Sequence, residues 1–308
     1  MINVTRMRML REVHSRGGIA AAAEALYMSP SAVSQQMVAL ERETGVNLLE
    51  RSGRGVRLTP AGHKLVAHAE RVLAVLEEAQ AELATLASGN TAVGPLRICA
   101  FPTAARTILV PAVAALRQSH PLLAPIVSDH EPEESIPMLK SGEMNVVLTY
   151  EFDQLAPTST NGIERHLLAA EPMYIAMSRE HPLAAGPVRI ADFADEGWIV
   201  GRDGSPFLEV QVRVSNLAGY EPRIDFHSND YQVILAAVAA GLGVALVPPL
   251  AVFAESADVV FRLPEDIRIQ RRIAALIRAG SSGHPAISAA LDALRSAAPA
   301  KSGLGSSS

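Results

Sequence analysis

Between Thr59 and Asn90 the sequence points to a single long helix with a narrow apolar seam. Thr59-Pro60 reads as N-cap and first helical residue, and Ser88-Gly89-Asn90 closes the run. Within it Leu65, Ala69, Val72, Leu76, Ala79, Leu83 and Leu86 follow at steps of 4, 3, 4, 3, 4 and 3 residues, the heptad spacing of a coiled coil. Residues 60–88 as a helix would span roughly 43 Å. A helix packed only on its own domain carries a broader stripe. The seam therefore predicts pairing with a second copy of the chain through Leu65, Val72, Leu76, Leu83 and Leu86. It also divides the sequence into two parts with different hydrophobic patterns.

The part before it is a set of short helices. Val4, Met7, Leu10 and Val13 recur at three-residue steps, and Gly17-Gly18 ends that helix. Ile19 to Leu26 is alanine-rich, so another helix can cross it closely. Tyr27-Met28 makes a turn, Ser29-Pro30 starts a third helix and Gly45 ends it. Val33, Met37 and Leu40 share its inward face. Ser31, Ser34 and Gln35 lie on another face, where short hydroxyls and an amide can meet base edges or phosphates. Leu48 to Leu58 then reads as strand, glycine turn and strand, with Arg51, Arg54 and Arg57 at its tip and flanks. Three helices and a basic hairpin make a winged helix-turn-helix, whose third helix enters the major groove by its N-terminal residues.

Charge supports this division. The 308 residues carry a net charge of −5, yet residues 1–65 hold nine Lys/Arg and five Asp/Glu, a net of +4. The remainder carries −9. One module faces a polyanion and the other does not. The single cysteine, Cys99, excludes an intramolecular disulfide and any multi-cysteine metal site. Its apolar neighbours make it a core residue rather than a redox sensor. The uncharged run 233–254 is broken by Gly241, Gly243, Pro248 and Pro249, so it reads as helix, glycine turn and buried strand rather than a membrane span. No signal peptide is visible, and a cytoplasmic location is expected.

Residues 9–62 resemble the DNA-binding domain of LysR-type transcriptional regulators. The residues that carry the resemblance are Ala22-Ala23-x-x-Leu26, Ser29-Pro30-Ser31-Ala32-Val33-Ser34-Gln35-Gln36, Leu40-Glu41, Gly45-Val46-x-Leu48-Leu49-x-Arg51 and Leu58-Thr59-x-Ala61-Gly62. One departure is Ser29-Pro30-Ser31, where the family more often has Ser-Gln-Pro or Ser-Gln-Ser, so a groove-facing amide would be absent. The family pairs through the helix that corresponds to residues 60–88, in agreement with the periodicity.

From Val93 onward strand and helix signals alternate, which implies an α/β architecture with largely parallel sheets. Strands are expected at 96–100, 126–128, 145–150, 173–178, 198–200, 223–226, 244–247 and 273–278. Helices are expected after Pro102-Thr103 and at 133–141, 206–218, 230–240 and 285–297. His181-Pro182-Leu183 and the run Val238 to Pro248 resemble family segments more loosely. The resemblance implies two Rossmann-like subdomains like those of periplasmic binding proteins. It also implies a small-molecule effector between them, met by Thr103, Ala104, Tyr150, Ser205, Phe207, Ser228 and Asn229. Helix starts at Thr103 and Ser205 suggest that the effector carries a carboxylate. Each of these residues is equally well explained as a helix cap.

Other groupings carry less. Gly241-Leu242-Gly243 follows a helix and precedes a strand, the reverse of the dinucleotide order. Glu131, Glu133 and Glu134 read as a solvated helix start. The histidines at 120, 130, 166, 181, 227 and 284 lack ligand spacing, so no metal or cofactor is expected. No catalytic set is found, and no enzyme is expected.

The expected architecture is therefore α/β and multidomain. Residues 1–59 form a winged helix-turn-helix and residues 60–89 a coiled-coil dimerisation helix. Residues 94–300 form a periplasmic-binding-protein-like effector domain, with subdomain I at 94–165 plus 268–300 and subdomain II at 166–267. A disordered tail follows at 301–308. The expected function is a LysR-type transcriptional regulator that reads an inverted repeat in double-stranded DNA as a homodimer or homotetramer. Three alternatives stay open: a solute-binding protein with an N-terminal appendage, an α/β enzyme, and a regulator that no longer reads DNA. Effector identity, target genes, and activation versus repression are not readable from the residues.

Overall fold

The computed structural model describes residues 1–52, 55–88, 91–156, 162–252 and 258–299. The N-terminal head holds α1 (Val4–Ser15), α2 (Ile19–Ala25) and α3 (Pro30–Thr44), then β1 (Leu49–Ser52) and β2 (Gly55–Leu58). Local chemistry sets these limits. The Asn3 side chain accepts from the Arg6 N–H and caps α1, and Ser29 Oγ accepts from the Ala32 N–H and caps α3. Gly45 ends α3 at φ +72°, a conformation that side chains other than glycine adopt at a cost. Tyr27 makes the turn before α3 at φ +52°. Leu10, Val13, Ala22, Ala23, Val33, Met37, Leu40 and Leu48 close a small core.

The long helix is α4 (Pro60–Ser88). Gly62 lets it meet the hairpin, because a Cβ there would lie 2.3 Å from the Leu48 carbonyl oxygen. Val66, Ala69 and Leu73 are buried, and Leu65 packs against the head. The seam is therefore divided. Its first positions close the head's own core, while Val72, Leu76, Leu83 and Leu86 stay exposed.

The C-terminal part begins with β3 (Gly94–Ala100), α5 (Pro102–Ala104) and α6 (Val110–Ser119). A π-turn at Ala105–Leu109 joins the last two. Pro111 supplies no N–H there, which accounts for the widened turn. Then come β4 (Leu123–Asp129), α7 (Pro132–Ser141), β5 (Val146–Phe152), β6 (Ile163–Pro172) and β7 (Tyr174–Ser178). The second half continues with β8 (Gly197–Val200), α8 (Pro206–Leu217), β9 (Arg223–His227) and α9 (Tyr231–Ala239). It ends with β10 (Ala245–Val247), β11 (Val259–Arg262), β12 (Gln270–Arg278) and α10 (Pro285–Ala297).

One sheet has the order β4-β3-β5-β12-β6. Its β3 pairs parallel with β4 and β5, whereas β12 runs antiparallel to both β5 and β6. A second group holds β10-β7-β11, all antiparallel, and the parallel pair β8-β9, bridged at Trp198 and Val244. The sheets are thus mixed rather than largely parallel. The difference comes from strands that cross between the two halves: β6 leads out, β12 leads back, and two crossings in opposite senses pair antiparallel. Two strands absent from the sequence expectation, β6 and β11, belong to this arrangement. Segment 163–172 (IERHLLAAEP) carries too many charges for a buried strand signal.

In the large sheet Leu96, Ile98 and Ala100 face the main core, while Cys99 and Val147 face the α7 side with Leu139 and Leu276. This is the two-residue alternation of a strand covered on both faces. The run 233–254 forms α9, a glycine turn and β10 as expected. A Cβ on Gly243 would lie 2.4 Å from the Gly197 carbonyl oxygen, so the close β8 crossing requires glycine. Among the described residues, no helix is long and apolar enough to cross a membrane.

Candidate functional site

The N-terminal end of α3 forms the first candidate surface. Ser29, Pro30, Ser31 and Gln35 are exposed and Ser34 is half-buried. Ser29 Oγ lies 3.0 Å from Ser31 Oγ. Gln36, next to Gln35, plays a different part. Its Oε1 accepts from Arg6 Nε at 2.9 Å and holds α1 against α3. Glu41 went unremarked in the sequence beyond its place in the motif. Its Oε1 accepts from the Leu48 and Leu49 N–H groups at 2.8 and 3.1 Å, which fixes the hairpin beside α3. Arg57 is exposed and donates to Glu50 at 2.6 Å across the hairpin. A polyanion would compete with Glu50 for it. Arg54 lies outside the described residues, as does the side chain of Arg51.

The second candidate is a cleft of about 850 Å³ between the two halves of the C-terminal part. Thr103, Ser205 and Asn229 line it, and Tyr150 and Phe207 line the recess at its floor. Ser205 is buried and caps α8 by accepting from the Leu208 N–H at 3.2 Å. Asn229 Oδ1 accepts from the Arg202 N–H at 2.9 Å. Two expected residues do not line the cleft. Ala104 is fully buried in the main core behind it. Ser228 is turned into its own loop, where its Oγ accepts from the Asp230 N–H at 3.1 Å, and Asp230 rather than Ser228 caps α9.

The sequence reading missed the centre of this site. Arg271 on β12 and Glu171 on β6 face each other across the two crossing strands. Both are buried, and Arg271 Nη2 and Nε lie 2.6 and 2.9 Å from Glu171 Oε1. Glu171 Oε2 accepts from the Leu250 N–H at 3.1 Å, and Arg271 Nη2 donates to Thr103 Oγ1 at 3.3 Å. The guanidinium also lies 5.2 and 5.4 Å from the Phe101 and Tyr150 ring centres. Burial, the largest influence, would lower the Arg271 pKa, but Glu171 together with Tyr231 and Tyr150 outweighs it and the pKa is raised. One ion pair thus links a helix start of the first half, a loop of the second and both crossing strands. Glu171, a single charge before the apolar run PMYIAM, was the available signal, whereas Arg271 stands beside Arg272 and is not singled out.

One residue of the acidic trio at 131–134 also departs from expectation. Glu133 and Glu134 are exposed in the first turn of α7, the solvated helix start expected, and only Glu131 departs from it. Glu131 is half-buried, and Tyr150 donates its hydroxyl to Glu131 Oε2 at 3.3 Å. Burial, and then the neighbouring Glu133, push the Glu131 carboxyl up to about 7. Asp129, Asp203 and Asp230 add to the acidic lining, against Arg106 and Arg202. Among the described residues, no group of three or more His, Cys, Asp or Glu could hold a metal ion.

Both parts of the chain match known proteins. Residues 4–63 match the family model "Bacterial regulatory helix-turn-helix protein, lysR family", and residues 89–299 match "LysR substrate binding domain". The chain is 30% identical over 299 residues to "Probable HTH-type transcriptional regulator LrrA" of Synechococcus elongatus, covering 97% of this chain and 98% of that one. Among solved structures, a full-length OxyR variant from Pseudomonas aeruginosa is similar at 25% identity and a TM-score of 0.62, covering 97% of each chain. Full-length CbnR in complex with its target DNA is similar at 26% identity and a TM-score of 0.54, covering 96% of this chain and 100% of that one. With a DNA-binding head and an effector domain both matched, the chain belongs to the LysR family of DNA-binding transcriptional regulators.

Proposed function

We propose that the chain reads an inverted-repeat promoter site as a dimer or tetramer and responds to a small molecule held in the cleft. The observation that carries this reading is the pairing, in one chain, of an exposed α3 N-terminus beside a basic hairpin with a cleft between two crossing-strand halves. Residues 1–59 serve as the reading head, 60–89 as the pairing helix and 94–300 as the effector domain, divided at 165/166 and 267/268. The cytoplasm is where such a regulator meets DNA. CbnR, solved on its target DNA, supports the same use of the head here. Ser31, Ser34 and Gln35 meet base edges, with Ser29 and Pro30 setting the helix entry. Arg51, Arg54 and Arg57 serve phosphates or the minor groove.

Peroxide sensing has relatives in its favour, the OxyR proteins, but no residue of this chain favours it. Cys99 is fully buried and burial pushes its thiol up to about 12, so it remains a protonated, inaccessible thiol.

Capture of sheared genomic DNA by the purified chain at two salt concentrations tests the reading. Enrichment of one or a few inverted repeats with steep salt dependence is expected. Arg54→Ala weakens all sequences alike and lowers the salt slope by about one unit, whereas Gln35→Ala changes the preferred sequence. No enrichment at either salt, from folded and paired protein, removes the DNA-reading function.

A further inference from the structure

We infer that α7 and β12 together form a strut that couples occupation of the cleft to docking of the head. The inference rests on the reading of the cleft as the effector site and adds the residues through which that site acts.

Both elements have one end at the cleft and the other at the head. The start of α7 supplies Glu131, Glu133 and Glu134 to the cleft wall. The helix is about 15 Å long, and its far end meets α1. Arg11 donates to the Lys140 carbonyl, and Arg16 Nη2 donates to Glu143 Oε1 at 2.9 Å just beyond the helix. β12 repeats the pattern. Near its start Arg271 lies at the cleft floor, bonded to Glu171 and Thr103. At its end, about 23 Å further on, Arg278 donates to Glu77 of α4 at 2.8 Å. The same guanidinium donates to the carbonyls of Met144 at 2.8 Å and Leu139 at 3.3 Å. One side chain thus ties the ends of α7 and β12 to α4.

Between their ends the two elements are packed as one body. Leu139 of α7 shares a buried cluster with Ala274 and Leu276 of β12 and Val147 of β5, and Ile136 packs beside it. Interiors packed this closely transmit a displacement rather than absorb it.

The head end of the strut is near balance between docked and released. Glu12 is fully buried, yet its Oε2 accepts no hydrogen bond among the described residues, and Arg16 Nε stands 3.8 Å from it. Arg11 is buried too, and burial lowers its pKa more than Glu12 raises it. Charges held in this way lose hydration that their contacts do not fully return. A modest difference in ligand affinity between the two states is then enough to move the head. Arg6 Nε donates to Gln36 Oε1 at 2.9 Å and ties α1 to α3, so α1 carries the reading helix with it. Release therefore changes where the α3 helices of paired chains meet DNA.

Hydrogen exchange of the full chain, read by mass spectrometry, tests the coupling from both ends. Asp203→Cys at the exposed rim of the cleft, alkylated with N-ethylmaleimide, places a covalent wedge there in place of the effector. Cys99 is fully buried with its thiol pushed up to about 12, so it escapes alkylation. The wedge is expected to raise exchange at least threefold in residues 8–16 of α1 and 70–80 of α4. In the reverse direction, Glu77→Gln with Glu143→Gln cuts the head contacts and should raise exchange at 131–136 by a similar factor, because a coupling free energy is reciprocal. Thermal melts establish that the variants are folded. A wedge effect confined to 131–136 and 201–206, with the head segments unchanged, overturns the strut. So does an unchanged 131–136 in the double variant. A rise shared equally by β3 and β5 shows general loosening and overturns it as well. Failure of the effector reading is seen separately. If the wedge moves the head segments but leaves affinity for the captured DNA repeats unchanged, the strut stands and the cleft loses its regulatory role.

Discussion

Glu131 shows how one side chain can be misjudged from its neighbours in sequence. Next to Glu133 and Glu134 it looks like the acidic start of a helix. In the fold its carboxyl lies against Tyr150 and is raised from 4.5 to about 7, with burial the main cause. A carboxyl raised on folding contributes fully below its unfolded pKa, and that contribution is lost as the pH rises through the folded one. Glu131→Gln should therefore melt at the same temperature as wild type near pH 4. At pH 8 it should melt higher by roughly 3 °C, a gap that calorimetric melts would follow across that range. Arg271 and Glu171 make the opposite case, a pair whose members need each other. Arg271→Met leaves a buried carboxylate without its partner and should cost about 3–5 kcal/mol in urea unfolding. Arg271→Met with Glu171→Leu should recover most of that loss. An equal loss in the double variant would show that packing, not charge, sets the cost.

Among elements, α1, α3 and the hairpin were legible because their signals are local. Ser29 as cap, Pro30 behind it and Gly45 at φ +72° are decided within a few residues of sequence. The long helix was legible for the same reason, but the partners of its seam were not. The heptad spacing does not distinguish Leu65, which packs on the head, from Leu83, which is 64% exposed in the single chain. That division leads to a prediction. Leu76→Glu with Leu83→Glu should leave the melting of the chain's own domains nearly unchanged, since both sites are exposed. The same change should lower the sedimenting mass to that of a smaller assembly. The strands β6 and β11 were not legible. Their pairing lies between residues far apart in the chain, such as Glu171 with Arg271, and no local pattern encodes that register.

At the scale of the molecule, the head and α4 lie against the effector domain through a small polar contact. Arg16 meets Glu143 at 2.9 Å, Arg278 meets Glu77 at 2.8 Å, and Arg11 donates to the Lys140 carbonyl. Largely buried pairs of this kind gain little net energy, because desolvation offsets the Coulomb attraction. The contact is therefore weak enough to open. Glu77→Gln with Glu143→Gln should increase the radius of gyration measured by small-angle scattering while leaving the effector-domain melt in place. The sequence alone determined the order of the parts: three helices, a basic hairpin, a long seamed helix and an alternating α/β region. Each of these follows from periodicity and capping over a few turns of chain. Only the tertiary structure decided what the cleft contains. Its acidic lining comes from three separate segments of chain, and its buried ion pair from two crossing strands. Charge balance in a cavity is a property of residues brought together in space, and spacing along the chain does not carry it.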